Sequence, residues 1–553
     1  MEIFLTFGNE KKSVSYGSTP FEILDDLAKS YNVEAEDIYA VLLNNRLCSL
    51  REPIRHSARL EPVFASSSEG ASVYRSTLCF VLAAASHMLF PEKRLLVGHS
   101  LGHGYYYTFD DEDSISDEDL DLLWKQMQKI IDSNEVIRQA RIPYEEAIEL
   151  FDKLNLIKTR KQLNFVAAPN YRINKIDEFS DLYTTPLLPS TGLLHVFELK
   201  KFGSGFLLRF PPSRTPKTLK PISEHKQLFL VYERYKNWGK KLDVTSVADL
   251  NELVCTGNFT DFMDICETLQ NKCFSDAAEM IYSQKNVKLV LIAGPSSSGK
   301  TTSSKKIAMQ LRVRGFTPKV ISLDDYYIGR ADTPKDENGN YDYECLEALR
   351  VEQLNNDLID LFNGKEVEIP SYDFSLGKYY YDGQKKMHLN KNDILIMEGI
   401  HGLNDKLTHL IGSDEKFKIY VSALTQLNLD DHTRVSTRDN RLIRRIVRDS
   451  WHRGKTASQS IGMWPSVQKG EVLHIFPFQN NADVMINTAL DYELSVLKVY
   501  AEPLLRCVPP TDSAYTQASH LLAFLDNFLP IPDTMVPKQS LLREFIGGSS
   551  FKY

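Results

Sequence analysis

Paired cysteines are missing from this sequence. Its seven cysteines, Cys48, Cys79, Cys255, Cys266, Cys273, Cys345 and Cys507, are odd in number and scattered, with no C-x-x-C among them. That pattern excludes a disulfide framework and a cysteine-based zinc site, and it suits reduced thiols in a cytoplasmic setting. Long hydrophobic runs are also missing. The longest apolar stretch, Cys79 to Phe90, falls short of the ~18 residues a spanning helix needs, and Met1 to Glu10 has no basic region followed by an apolar core. Neither secretion nor a membrane is expected. Nor is positive charge in excess: 65 Lys and Arg face 73 Asp and Glu, for a net charge of −8. This disfavours a dominant nucleic-acid surface but leaves room for a local basic patch. No internal repeat at a fixed period is present. The chain has 553 residues, 42% hydrophobic and 25% charged, an ordinary balance for several globular domains of about 150 residues each.

Residues 1–64 alternate strand-like runs (Glu2–Phe7, Ala40–Leu43, Leu60–Val63) with one helical segment, Pro20–Tyr31, an α+β pattern. The polar Ser66–Ser72 reads as a linker into a region ending at 212. That region carries a helix over Arg75–Leu89, a strand over Gly104–Phe109, an acidic loop Asp110–Asp119, two more helices, and strands near Leu194–Phe202 and Gly205–Phe210. Pro211 to Pro216 marks a boundary; 213–283 read as a helical connector and 284–553 as a final α/β unit.

The final unit opens with Gly294-Pro295-Ser296-Ser297-Ser298-Gly299-Lys300-Thr301, followed by Thr302, a G-x-x-x-x-G-K-T loop. The apolar Val287–Ala293 before it predicts a buried parallel strand, and the spacing of Thr302–Val313 predicts a helix. Backbone amides and a helix's positive end would converge there on phosphate, with Lys300 reaching the β- and γ-phosphates and Thr301 available to Mg²⁺. A second strand, Lys319–Leu323, delivers Asp324-Asp325-Tyr326-Tyr327 at its carboxyl end, where open α/β sheets place ligand groups. A carboxylate there can take the proton of an attacking hydroxyl, or simply cap a turn. A third strand, Asp393–Met397, ends in Glu398, placed for Mg²⁺ or its water shell. Arg441, Arg444, Arg445 and Arg448 recur at intervals of three and four ahead of Arg453, and so share one helix face. Such a run is a solvated face, a nucleic-acid patch or, beside a phosphate loop, a set of arginines that closes over transferring phosphates.

These residues resemble the uridine kinase and phosphoribulokinase group of P-loop phosphotransferases. The resemblance is carried, in order, by Gly294–Thr301, Asp324–Tyr327, Asn340-Tyr341-Asp342, Pro370-Ser371-Tyr372-Asp373-Phe374, Glu398-Gly399-Ile400, and the arginines Arg441 to Arg448 with Arg453-Gly454. It implies an ATP-dependent kinase with Asp324 as general base, Lys300 and Arg445 neutralising charge, and Gly294 to Thr302 holding ATP. Thr301 and Glu398 would hold Mg²⁺, while Asp342, Tyr372, Arg441 and Arg448 would meet a nucleoside-like acceptor through its ribose. Uridine–cytidine kinases place a pyrimidine-reading histidine soon after Y-D-F; Ser375-Leu376-Gly377-Lys378 offers none.

The first 212 residues resemble the amino-terminal part of threonyl-tRNA synthetases: residues 1–64 a β-grasp TGS domain, residues 65–212 the second additional domain that edits mischarged tRNA. Tyr74-Arg75-Ser76-Thr77 through Pro91, Gly104 to Phe109, and Asp181-Leu182-Tyr183 through Gly192 carry this likeness. The family's H-x-x-x-H falls on Ser76 and Phe80, and its C-x-x-x-H on Tyr183 and Leu187. Phe and Leu have no donor atom, so neither zinc nor editing is expected. His99 and His103 repeat the H-x-x-x-H spacing, but flanking Gly98, Gly102 and Gly104 predict a turn. Asn390-Lys391-Asn392-Asp393 matches a guanine-reading pattern, yet it precedes a strand where GTPases have it follow one. Together these readings give a cytoplasmic nucleoside kinase using ATP and Mg²⁺. The competing class is a tRNA- or ribosome-associated ATP-driven regulator. Basic stretches Lys200-Lys201, Lys217 to Lys226 and Lys236 to Lys241 are scattered, and base preference and oligomeric state are not readable.

Overall fold

A computed structural model of the chain describes residues 2–110, 114–221, 226–337, 339–373 and 375–552. Phe374 of the Y-D-F run, part of the acidic loop and part of the Lys217–Lys226 stretch lie outside the described residues. The described chain forms two compact units. One comprises 1–257, 426–436 and 502–531; the other comprises 258–425, 437–501 and 532–553.

The first unit holds a five-stranded mixed sheet in the order Glu10–Ser15, Glu2–Phe7, Ala58–Phe64, Ile38–Leu43, Arg46–Cys48, with the second and third strands parallel. Glu2–Phe7 buries every second residue, as a strand with one face on a core must. A four-stranded sheet (Glu198–Phe202, Gly205–Arg209, Gly104–Phe109, Leu95–Ser100) and a three-stranded one (Phe179–Asp181, Asn170–Ile176, Arg138–Pro143) follow. Between them runs the largely buried helix Ser68–Leu89. The expected linker Ser66–Ser72 is instead the start of that helix. Ser67 caps it by accepting the Gly70 amide at 2.9 Å, and a Cβ on Gly70 would lie 2.0 Å from the Phe64 carbonyl oxygen, so the polar, small residues serve a cap and a close approach. Likewise Asp117–Asp119, read as loop, form the first turn of the helix Asp117–Asp132, where acidic groups oppose the helix's positive end. His99 is buried on a strand, and His103 falls in the turn before the next.

The second unit carries the parallel sheet expected of an α/β unit, in the order Thr317–Ser322, Asp393–Glu398, Leu289–Ala293, Lys416–Ser422, Val484–Asn487. Every pairing is parallel. All five residues of Leu289–Ala293 are buried, as a strand covered on both faces requires. The helix Phe259–Ser283, foreseen as part of a connector, packs beside the helix Lys300–Val313 in this unit. The sheet's carboxyl edge therefore collects Gly294, the turn holding Asp324, and Glu398.

Candidate phosphate-binding and catalytic site

The loop turns from strand to helix through two residues in the left-handed region, Ser297 at φ 60° and Gly299 at φ 81°. Gly294 is obligatory for space: a Cβ there would lie 2.1 Å from the Val421 carbonyl oxygen. Lys300 folds back over the loop, its Nζ donating to the Gly294 and Pro295 carbonyls at 3.1 and 3.3 Å. Thr301 donates its hydroxyl to Glu398 at 3.3 Å, and the Ser322 hydroxyl reaches the same carboxylate oxygen at 3.3 Å. Register explains this meeting, since Glu398 lies opposite both Ile292 and Ser322. Burial, then the charge of Asp324 and of Glu544, push the Glu398 carboxyl above its ordinary value against the pull of Lys300.

Asp324 sits in a one-turn 3-10 segment, Leu323–Tyr326, with its amide donating to Ser322 Oγ at 3.3 Å. Its side chain reaches solvent, yet desolvation by the surrounding cleft leads in raising its pKa. Lys300, Arg453 and Arg448 oppose that rise, while Asp325 adds to it. The neighbouring carboxylate is otherwise engaged: Asp325 pairs with Lys385 at 3.2 Å. The structure thus separates the two aspartates by partner, with Asp324 facing the loop lysine and the arginines.

The arginine helix, Thr437–Arg453, divides in two. Arg441 donates to the Ser296 carbonyl at 2.9 Å and pairs with Glu471, which in turn accepts the Ser296 amide at 3.1 Å. Arg444 is fully buried; it bonds Glu493, the Ser297 carbonyl at 3.2 Å and the Thr488 carbonyl at 2.8 Å. These two brace the loop from behind. A solvated face is excluded, because Arg441, Arg444 and Arg445 are all buried, and Arg441, expected at the acceptor, is committed to Glu471. Arg445 donates to Ser296 Oγ at 2.8 Å, and Asp449 gathers Arg445 at 3.4 Å, Arg448 at 2.8 Å and Arg453 at 3.5 Å. Arg448 and Arg453 are the pair whose charge is felt at Asp324.

Among the residues expected to meet an acceptor, Asp342 accepts the Glu344 amide at 3.0 Å and stands 4.0 Å from His474 Nε2. The rings of Tyr327 and Tyr372 are 5.6 Å apart, and Tyr327 donates its hydroxyl to the Tyr343 carbonyl at 3.0 Å. Sequence reasoning missed Glu344, Glu471, His474 and Glu544. Glu344 is pushed up to about 7 by burial and Glu471, against Lys300 and Arg445, so it belongs to the same charge cluster. Its signal was proximity to Asn340-Tyr341-Asp342; Glu471 and His474, three apart on the helix Ala457–His474, carried none.

Mg²⁺ takes oxygen ligands, few of them from protein when phosphates supply the rest. The Thr301 hydroxyl and the Glu398 carboxylate fit that donor set. Among the described residues, no group of three or more His, Cys, Asp or Glu side chains is arranged to hold a metal. In the first unit, two of the four positions matched to an editing metal site, Phe80 and Leu187, are buried hydrocarbon, and Phe80 makes an edge contact with Tyr183 at 5.7 Å.

A strand–loop–helix of this kind at the carboxyl edge of a parallel sheet defines a P-loop unit. Residues 289–495 match the Phosphoribulokinase / Uridine kinase family, so the carboxyl-terminal part of the chain carries a domain of that family. The amino-terminal region is similar to threonine–tRNA ligases. With that of Carboxydothermus hydrogenoformans it shares 28% identity over 199 residues, 36% of this chain and 31% of the ligase. With that of Nitratidesulfovibrio vulgaris it shares 32% over 149 residues, 27% of this chain and 23% of the ligase. The chain thus spans about a third or less of these relatives. Among solved structures, one described as a possible uridine kinase from Bacillus stearothermophilus is 18% identical, with 38% of this chain and 98% of that one covered at a TM-score of 0.26. D-glycerate 3-kinase from Cryptococcus neoformans is 13% identical, with 49% and 87% covered at a TM-score of 0.20.

Proposed function

We propose that the protein is an ATP-dependent phosphotransferase that moves the γ-phosphate of ATP to a hydroxyl of a small acceptor, with the 5′-hydroxyl of a nucleoside as the best candidate. The observation that carries this reading is the convergence of Asp324 with Lys300, Arg448 and Arg453 beside Thr301 and Glu398. The carboxylate of Asp324 takes the proton of the attacking hydroxyl, and Lys300, Arg445 and the two outer arginines offset the charge of the transferring group. Mg²⁺ held by Thr301 and Glu398 would neutralise the β- and γ-phosphates. In this reading Asp342 accepts hydrogen bonds from acceptor hydroxyls and Tyr372 and Arg448 also meet the acceptor, while Arg441 acts from behind through the loop. The family match over 289–495 supports phosphoryl transfer as the reaction class. For the region preceding it, a scaffold or ligand-sensing role is favoured by Phe80 and Leu187, buried hydrocarbon at two of the four editing-like positions.

ATP consumption measured against a panel of nucleosides, sugars and tRNA tests this. Stimulation by one nucleoside, with its monophosphate as product, is the expected result. Stimulation by tRNA alone, with no phosphorylated small molecule, would overturn it in favour of an RNA-associated regulator.

A further inference from the structure

The short helix Arg543–Ile546, far along the chain from the phosphate loop, packs within the same unit onto the loop and the arginine helix. Leu541 lies so close over Gly299 that a Cβ on that glycine would come within 2.7 Å of Leu541 Cδ2. Three residues on, Glu544 turns its carboxylate to Thr302. One oxygen, Oε2, accepts both the Thr302 backbone amide at 3.0 Å and the Thr302 hydroxyl at 2.6 Å. The segment presenting it is well anchored. Arg543, buried, donates to the Asp533 and Val536 carbonyls, each at 2.7 Å, and to the Asp533 carboxylate at 3.1 Å. Phe545 is fully buried with the Arg444 guanidinium 4.9 Å from its ring centre.

Thr302 directly follows the G-K-T of the loop, at the first turn of the helix Lys300–Val313. Amides of this stretch cradle the α- and β-phosphates of a nucleotide, helped by the helix's positive end. A carboxylate oxygen makes the same charge-assisted bonds to N–H and O–H that a phosphate oxygen makes. One oxygen cannot yield to another without giving up its donors, and two anions side by side repel. The charge of Glu544 is already among those raising Glu398 and those favouring the charged forms of Lys305 and Arg453.

We propose that Glu544 is a nucleotide-affinity determinant: it holds the α/β-phosphate donors of Thr302 in the nucleotide-free protein and must leave them for nucleotide to bind. This rests on the reading of the loop as an ATP site. Because the binding-competent state is the one with Glu544 withdrawn, apparent affinity falls by the fraction of molecules in that state, and removing the carboxylate restores it.

The test is calorimetric titration of the full chain with ADP and with adenosine, for wild type, Glu544→Gln and Glu544→Ala. Thermal melting without nucleotide confirms that each is folded; the glutamine variant keeps the shape and loses only the charge. The expected result is ADP binding about tenfold or more tighter in both variants, with adenosine unchanged because it brings no phosphate to the contested donors. If wild type binds ADP and both folded variants bind it equally well or more weakly, the assignment of Glu544 is overturned while the ATP reading stands. If no form binds ADP or ATP, the ATP reading itself falls and the inference falls with it.

Discussion

Asparagine placed separately at Asp324 and at Asp325 distinguishes two adjacent carboxylates that differ only in their surroundings. Asp325 pairs with Lys385 at 3.2 Å, and the lysine side chain is 45% exposed. An exposed pair of this kind is worth about 1 kcal/mol at most, so its loss should move turnover by less than about tenfold. Asp324 is the carboxylate whose charge is coupled to Lys300, Arg453 and Arg448. A positioned general base supplies roughly 10²–10⁴ in rate, about 3–5 kcal/mol of barrier, and asparagine cannot accept the proton. The same change removes a negative charge from the cleft proposed to bind polyphosphate, so nucleotide affinity should hold or improve. Single-turnover transfer of γ-phosphate, with ADP binding measured on the same preparations, checks both parts. Turnover of Asp324→Asn is expected to fall by about 10²–10⁴ and that of Asp325→Asn by less than about tenfold. Equal losses in the two variants, or near wild-type turnover in Asp324→Asn, would refute the assignment.

Two further expectations concern stability. Arg444→Met leaves Glu493, 1% exposed, with only uncharged donors among the described residues, such as Asn440 and the Leu490 amide; urea denaturation should show a loss of about 3–5 kcal/mol, most of it recovered by adding Glu493→Leu. Equal losses in the single and double variants would mean that the orphaned charge is not the cause. In the first unit, His432 bonds Asp181 at 2.7 Å, both buried; burial opposes its charge, but Asp181, Asp431 and Asp430 outweigh it and raise its pKa. Burial and Asp181 also raise Asp430. Both groups hold protons more tightly folded than unfolded: the stability His432 confers is present below about pH 6.5 and fades as pH rises through its folded value, while Asp430, raised to about 8, withdraws stability progressively from the ordinary carboxylate range up to that value. The melting midpoint of the first unit should therefore drop from about pH 6 to pH 8, and His432→Gln should flatten that slope; an unchanged slope would contradict it.

The phosphate loop and its flanking elements were legible because their signals are local: a five-residue apolar strand, the glycines a tight turn demands, and a helix at the next residue. The positions of Asp324 and Glu398 were legible for the same reason, Glu398 ending a buried strand and Asp324 lying in the turn just after an edge strand. Ser66–Ser72 misled because serine and glycine serve linkers, caps and close approaches alike, and only the Phe64 carbonyl against Gly70 decides among them. The strand Glu10–Ser15 was missed because it is mostly polar, its pairing being set by its neighbour Glu2–Phe7. Glu471 and Glu544 were out of reach altogether. Each acts on the loop from more than a hundred residues away, and nothing near either in sequence says that a backbone amide of Ser296 or Thr302 will meet it.

Burial of the arginine helix also bears on how the site opens. Its first half is tied to the loop through Arg441 and Arg444, whose partners Glu471 and Glu493 are 2% and 1% exposed. Lifting that half would strand two carboxylates out of reach of water, a cost of several kcal/mol each. Among the described residues the second half bonds the loop only indirectly, through the Asp449–Arg445 pair: Trp451 is 60% exposed, the Arg453 side chain 50% exposed, and Gly454 follows at φ 61°. Rearrangement on nucleotide binding should therefore be confined to the last turns. Hydrogen exchange read by mass spectrometry, with and without ADP, checks this division. Peptides over 448–456 should change protection, and those over 439–447 should stay as slow as the central sheet. If both halves change together, the helix moves as one body and the bracing by Arg441 and Arg444 does not hold it.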